Sequence, residues 1–282
     1  MQTLQVEHLF PTMEALMPFT LIKGSFVPEF GRPDGDSLRF VPDNVDPIFR
    51  LRRRGRGPKI NAQNGSVQLR YEAIDTMETG TGEFAEAATE ANLQLAMSQD
   101  GRGHICTNQL GPNGRPIAFV FAGDRADEDG ADIWLDPEDI EDSINVKQLQ
   151  SGLAYPLYYD TLFDDLREKC TDASQEAKCE GAGVWAADRT NKGLFWNPDV
   201  DQLDPVFPKL WRRIDKYVRD DTFFEPANKF GNFLPWMRQQ RDERVSVPSR
   251  GLFTGFDDLI ERVSDDEIRL EVEPHEMIII SV

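Results

Sequence analysis

An α+β fold is predicted by three features of this 282-residue sequence. Short runs with period-two alternation fall within the first 75 residues, one long run at helical spacing follows them, and two further short runs then flank a Gly-Pro-Asn-Gly turn signal. FTLIKGSF, Phe19 to Phe26, alternates loosely and predicts a first strand; after a Pro/Gly loop, SLRF from Ser37 to Phe40 predicts a second. VQLRYEAID, Val67 to Asp75, predicts a third, with Val67, Leu69, Tyr71 and Ala73 on one face and Arg70 on the other. The stretch from Val41 to Ser66 carries Arg50, Arg52, Arg53, Arg54, Arg56 and Lys59 and is too long for a hairpin turn, so it reads as an insertion. It joins the second and third strands, which places it at the far end of that hairpin from Asp36 and Asp75, on the order of 17 to 20 Å away.

GEFAEAATEANLQLAMSQ predicts a helix with Phe84, Ala87, Ala88, Ala91 and Leu95 inside and Glu83, Glu86 and Glu90 outside. Ile105 to Gln109 and Ile117 to Ala122 predict two more strands, joined at Gly111-Pro112-Asn113-Gly114. After an acidic segment, Asp124 to Asp142, come a short helix (Val146, Leu149, Leu153) and a longer one (Leu162, Leu166, Cys170, Ala173, Ala177) that end at Gly181 and Trp185. Five short strands, a helix after the third and more helix behind them are the order of a five-stranded OB-type barrel with three helices. The organisation expected is an N-terminal extension (1–18), an OB domain (19–196) with insertions at about 41–66 and 124–144, and an irregular C-terminal extension (197–282). That extension is a small module or a belt on the first. It holds a basic amphipathic piece, Trp211 to Arg219, and closes on IRLEVEPHEMIII, which reads as a hairpin.

A hydrophobic content of 39% fills a core. Lys and Arg number 31 against 50 Asp and Glu, a net charge of −19 that repels polyanions at long range. With a Debye length of about 8 Å at physiological salt, a local arginine cluster still holds phosphate on such a chain. Three cysteines are too few for a disulfide framework and point to a reduced compartment. The first twenty residues lack a basic n-region and a continuous apolar core, and no stretch reaches the roughly 20 apolar residues of a membrane span. A cytoplasmic chain without a membrane partner is expected; trimming at the N-terminus would leave secretion open.

Three segments carry the chemistry of phosphodiester hydrolysis, which needs positive charge on the phosphate and an activated water. Asp34-Gly35-Asp36 sets two hard carboxylates around a turn, suited to calcium or magnesium and equally an ordinary turn. Arg70, Asp75 and Glu78 bring a phosphate ligand, a metal ligand and a base onto one short stretch, although a solvated arginine and a helix-start acid would look alike. Asn113-Gly114-Arg115 would aim a further arginine across the barrel mouth, although a surface arginine after a hairpin would look the same.

Together these segments resemble the thermonuclease family, the staphylococcal nuclease-like domains. The resemblance runs from about Phe19 to Arg189 and includes Thr20-Leu-Ile-Lys23, Asp34-Gly-Asp36, Arg70 with Asp75-Thr76-x-Glu78, Gly114-Arg115, Gln150-Ser-Gly152-Leu-Ala154, Tyr158 and Trp185. It implies that Asp36, Asp75 and the Thr76 carbonyl bind calcium, or magnesium or another divalent cation in its place. It also implies that Glu78 is the base for the attacking water and that Arg70 and Arg115 grip the phosphate. Met77 stands where the family has proline, and Pro112-Asn113 where it has a phosphate-binding lysine-tyrosine pair. Tyr158 is a candidate for stacking a base, and Arg52, Arg53 and Arg54 for gripping flanking nucleic acid. The function expected is calcium-dependent cleavage of DNA or RNA, single strands preferred, on the 5′-oxygen side to leave 3′-phosphate ends. The alternatives are a non-catalytic OB module that binds nucleic acid or protein, and a structural protein that associates with a partner or itself through the C-terminal extension.

Overall fold

The computed structural model describes residues 18–53, 55–240 and 243–280. Residues 1–17, nearly all of the expected N-terminal extension, and Arg54 lie outside the described residues.

The first strand, β1 (Phe19–Phe26), buries Phe19, Leu21, Ile22 and Phe26, and has sheet neighbours on both sides. It runs antiparallel to β2 (Arg39–Pro42), after which come α1 (Asp46–Arg50) and the two-residue β3 (Arg52–Arg53). The expected third strand is in fact three pieces, β4 (Val67–Gln68), β5 (Arg70–Tyr71) and β6 (Ile74–Asp75). Next are α2 (Glu83–Ala96), β7 (Arg102–Leu110) and β8 (Pro116–Ala122). The sheet path runs β4-β2-β1-β7-β8-β5. Its two end strands are separated in sequence by Leu69 alone, so the path returns on itself and the sheet forms a nearly closed, barrel-like structure. It is mixed, because β5 is parallel to β8 and β3 is parallel to β7. Gly24 and Gly103 face each other across β1 and β7; a Cβ on Gly24 would meet the Val41 carbonyl at 2.2 Å, and one on Gly103 the Phe121 carbonyl at 2.4 Å. Bare backbone at both positions lets the strands curve tightly.

The acidic segment contributes β9 (Asp132–Ile133), which pairs with the start of β1. Two helices follow and pack on the barrel core through Val146, Leu149, Leu166 and Cys170: α3 (Ile144–Gln150) and, after the short β10 (Tyr155–Pro156) and β11 (Tyr158–Tyr159), α4 (Asp164–Glu180). Ser143 caps α3 by accepting from the Val146 N–H, and Gly181 ends α4 in the left-handed conformation with φ 67°. The buried stripe of α2 differs from the expected one: Ala85, Ala88, Asn92 and Ala96 face inward. Asn92 has that inward seat because both ends of its amide are bonded, to the Tyr71 hydroxyl and to the Asp34 carbonyl.

The C-terminal region is more ordered than an irregular extension. It contains β12 (Leu194–Phe195), α5 (Pro208–Val218), α6 (Phe233–Met237), β13 (Arg244–Val247), β14 (Leu252–Gly255), β15 (Ile260–Arg262), β16 (Glu267–Leu270) and β17 (Ile278–Ile279). The described residues therefore hold six α-helices, against the three expected. The closing run is not a hairpin: β16 lies between β12 and β15 in one sheet, and β17 lies between β11 and β13 in another. A second hydrophobic core joins Met77, Ala85, Tyr155, Ala177 and Trp185 to Leu210, Trp211, Phe230, Phe233 and Trp236. This core thus draws residues from both sides of the boundary expected at residue 196. No helix among the described residues is long and apolar enough to cross a membrane.

Candidate active site

The turn Asp34-Gly35-Asp36 is fixed from three sides. Asn92 of α2 donates to the Asp34 carbonyl at 2.6 Å, Gln148 of α3 to the Gly35 carbonyl at 3.0 Å, and the Tyr71 N–H of β5 to the Asp36 carbonyl at 2.9 Å. Asp36 emerges almost fully buried, its Oδ2 3.5 Å from Arg70 Nη1.

Arg70 and Asp75 are five residues apart, and on an unbroken strand an odd separation would put them on opposite faces. A break between β5 and β6 removes that obstacle. Ala73 has φ 68°, in the left-handed region, and the Glu72 N–H bonds to Ala118 before the chain turns. Asn145 stabilises the turn, donating to the Glu72 and Ala118 carbonyls at 2.8 and 3.0 Å and accepting from the Val120 N–H at 2.9 Å. The backbone reversal brings Asp75 Oδ1 to 3.1 Å from Arg70 Nη2. The loop beyond is held at Met77, whose buried side chain belongs to the second core and anchors by packing, where the resemblance leads one to expect a proline ring.

Arg115 follows the Gly111–Gly114 turn, closed by the Gly111 N–H to the Arg115 carbonyl at 2.8 Å. The basic insertion packs on this same turn, through Lys59 N–H to the Gly114 carbonyl at 3.0 Å and β3 alongside Gln109 and Leu110. The insertion is therefore next to the turn that bears Arg115, not at the far end of the hairpin, because α1 and β3 fold it back along β7.

One cavity of about 440 Å³ is lined by Asp34, Asp36, Arg70, Asp75, Thr76, Glu78 and Arg115, together with Tyr159 and four cations of α5. Those four are Lys209, Arg212, Arg213 and Lys216, at i, i+3, i+4 and i+7, on one face of the helix. Glu243 pairs with Lys209 at 2.6 Å and Arg213 at 2.9 Å. Arg212 reaches further. Its Nη2 lies 2.5 Å from Asp75 Oδ2, and its Nη1 lies 3.2 Å from Asp75 Oδ1 and 2.6 Å from Glu78 Oε1. The side chains of Arg115 and Lys216 make no hydrogen bond or ion pair among the described residues. Both also line an adjoining cavity of about 700 Å³ that is walled by Leu110, Pro112, Ile117 and Ile279.

Burial pushes the Asp36 carboxyl up to about 8, against the opposing charge of Arg70. Asp34 is raised as well, again chiefly by burial. Burial alone would raise Asp75 too, but the guanidinium charges of Arg212 and Arg70 outweigh it and hold the group below its ordinary range. Arg115 is lowered by burial and then by the like charge of Arg70. The buried carboxyl of Asp36 is thus short of positive charge, and with Asp75 it presents the hard oxygen donors that suit calcium or magnesium. Among the described residues no three His, Cys, Asp or Glu side chains converge into a metal cluster.

Asp36, Arg70, Asp75, Thr76, Glu78 and Arg115, drawn from separate stretches of the sequence, meet in one cavity. Tyr158 does not join them: it is buried in the core with its hydroxyl 2.9 Å from Thr171, and its neighbour Tyr159 faces the cavity. Arg52 and Arg53 are exposed and line neither cavity, and Arg54 lies outside the described residues. The α5 cations were not among the expected site residues, although their spacing in Trp211 to Arg219 and just before it is visible in sequence. No family model and no curated protein matches this chain.

Proposed function

We propose that this protein is a calcium-dependent nuclease of thermonuclease type, built on an OB-type barrel and hydrolysing phosphodiester bonds of DNA or RNA. The observation that carries this reading is the convergence of Asp36, Asp75, Thr76, Glu78, Arg70 and Arg115 on one cavity, which the strand break at Ala73 makes possible. A cation held at Asp36 and Asp75 would supply Lewis-acid charge to the phosphate oxygens. Arg70 and Arg115 bind the non-bridging oxygens, and their charge matches the negative charge that grows there as water attacks. Glu78, part-exposed at the rim, takes the proton of that water. The 5′-oxygen departs and a 3′-phosphate end remains. An open cavity between barrel and α5 favours a single strand over a duplex.

The competing reading is a non-catalytic binding module, and one observation favours it: Arg212 ties up both Asp75 and Glu78. Incubating the protein with single-stranded and duplex DNA and RNA, in calcium, magnesium or chelator, separates the two. Metal-dependent fragments that vanish in Glu78→Gln support the nuclease. Binding without fragments under every condition establishes the module in its place.

A further inference from the structure

We infer that Arg212 is a resident cation of this site, and that a divalent metal ion gains Asp75 only by displacing its guanidinium from Asp75 and Glu78. The inference rests on the metal-dependent reading above. Both oxygens of Asp75 are already engaged, Oδ1 by Arg70 and Arg212 and Oδ2 by Arg212. A carboxylate with each oxygen in a charge-assisted hydrogen bond has little left to offer a metal. The third contact, from Arg212 to Glu78, engages the base in the same grip. One side chain from the C-terminal region therefore holds a metal ligand and the base together, and its departure frees both at once.

The helix around it is built for such a movement. Leu210, Trp211, Ile214 and Tyr217 are buried and fix the α5 backbone in the second core, while the Arg212 side chain stays about one-third exposed at the cavity wall. Lys209 and Arg213 do not substitute for it, since Glu243 occupies both. Released, the guanidinium remains on the face that carries Lys216, turned toward an incoming phosphate. The C-terminal region thus makes metal loading and substrate entry compete with an internal ion pair. The linkage is reciprocal: whatever draws Arg212 away tightens the metal.

Calcium titration by calorimetry on the full chain, wild type against Arg212→Gln, tests this. Glutamine is uncharged and too short to reproduce the guanidinium contacts to Asp75 and Glu78. The variant is expected to bind calcium at least about tenfold more tightly, within the roughly 5- to 150-fold usual for coupled sites. Equal or weaker affinity in the variant overturns the displacement and leaves the nuclease reading standing. No calcium binding by either protein overturns both. Should the variant fail to fold, the wild type supplies the answer through the Arg212 Nε–H resonance in ¹⁵N spectra. A shift during calcium titration supports displacement, and an unmoved resonance at saturating calcium refutes it.

Discussion

Asn145→Ala is the substitution that most directly tests how the site is assembled. Asn145 is fully buried on α3 and makes three hydrogen bonds to backbone, to Val120, Glu72 and Ala118. It takes over the sheet ladder where β5 turns away at Ala73. The Ala118 carbonyl keeps a partner after the change, the Glu72 N–H at 2.8 Å. The Val120 N–H and the Glu72 carbonyl lose theirs, and at about 1–3 kcal/mol for each orphaned buried group the cost is about 2–6 kcal/mol. Against a typical total of about 5–15 kcal/mol, that is large. Urea denaturation followed by tryptophan fluorescence measures it, and metal-dependent cleavage should fall with it, because the turn that sets Asp75 beside Arg70 loses its support. A loss below about 1 kcal/mol would show that the Glu72–Ala73 turn holds itself and that Asn145 merely fills space.

Three further outcomes are expected. Burial lifts the Glu72 carboxyl to about 7 from 4.5, so the folded chain keeps a proton that the unfolded chain releases; stability is full below about pH 4.5 and declines by about 3 kcal/mol as the pH rises to 7. Glu72→Gln should remove that decline, and unfolding curves with the same pH slope in both proteins refute the assignment. Lys216→Ala should weaken single-strand binding and reduce the slope of log affinity against log salt by about 0.7, measured by anisotropy titration, while leaving the melting temperature unchanged. Arg115→Ala should slow cleavage by a factor of about 10²–10³, as removal of a single charge-stabilising donor does, with little effect on calcium affinity.

Much of the barrel was legible in the sequence because its strands bury alternate residues and its loops announce themselves with Gly, Pro and Asp. The first strand, Phe19 to Phe26, and the left-handed end of α4 at Gly181 were both foreseen. What escaped detection depended on distant partners. VQLRYEAID alternates well enough to pass for one strand, and only Asn145 and Ala118, remote in sequence, make it break at Ala73. The inward seat of Asn92 follows from the Asp34 carbonyl that it serves, and no periodicity of apolar residues reports such a bond. The site motifs were suggestive only when taken together, since each alone reads equally as a turn, a solvated arginine or a helix-start acid. Arg212 was not legible at all, because a basic helix face gives no sign of which carboxylate it will meet. The two runs of IRLEVEPHEMIII look like partners only while the strands they join, β12 and β15 for one, β11 and β13 for the other, are out of view.

The parallel pairing of β11 with β17 sets an order of events during synthesis. Tyr158 and Tyr159 leave the ribosome long before Ile278 and Ile279, and non-local parallel pairing is slow to form because the intervening chain must be closed first. Until then the second core lacks Met277 and Ile279, which complete it beside Tyr155 and Met77. The nascent protein would hold its barrel carboxylates before it holds the cations of α5, so the acidic wall of the cleft and its counter-charge arrive at different times.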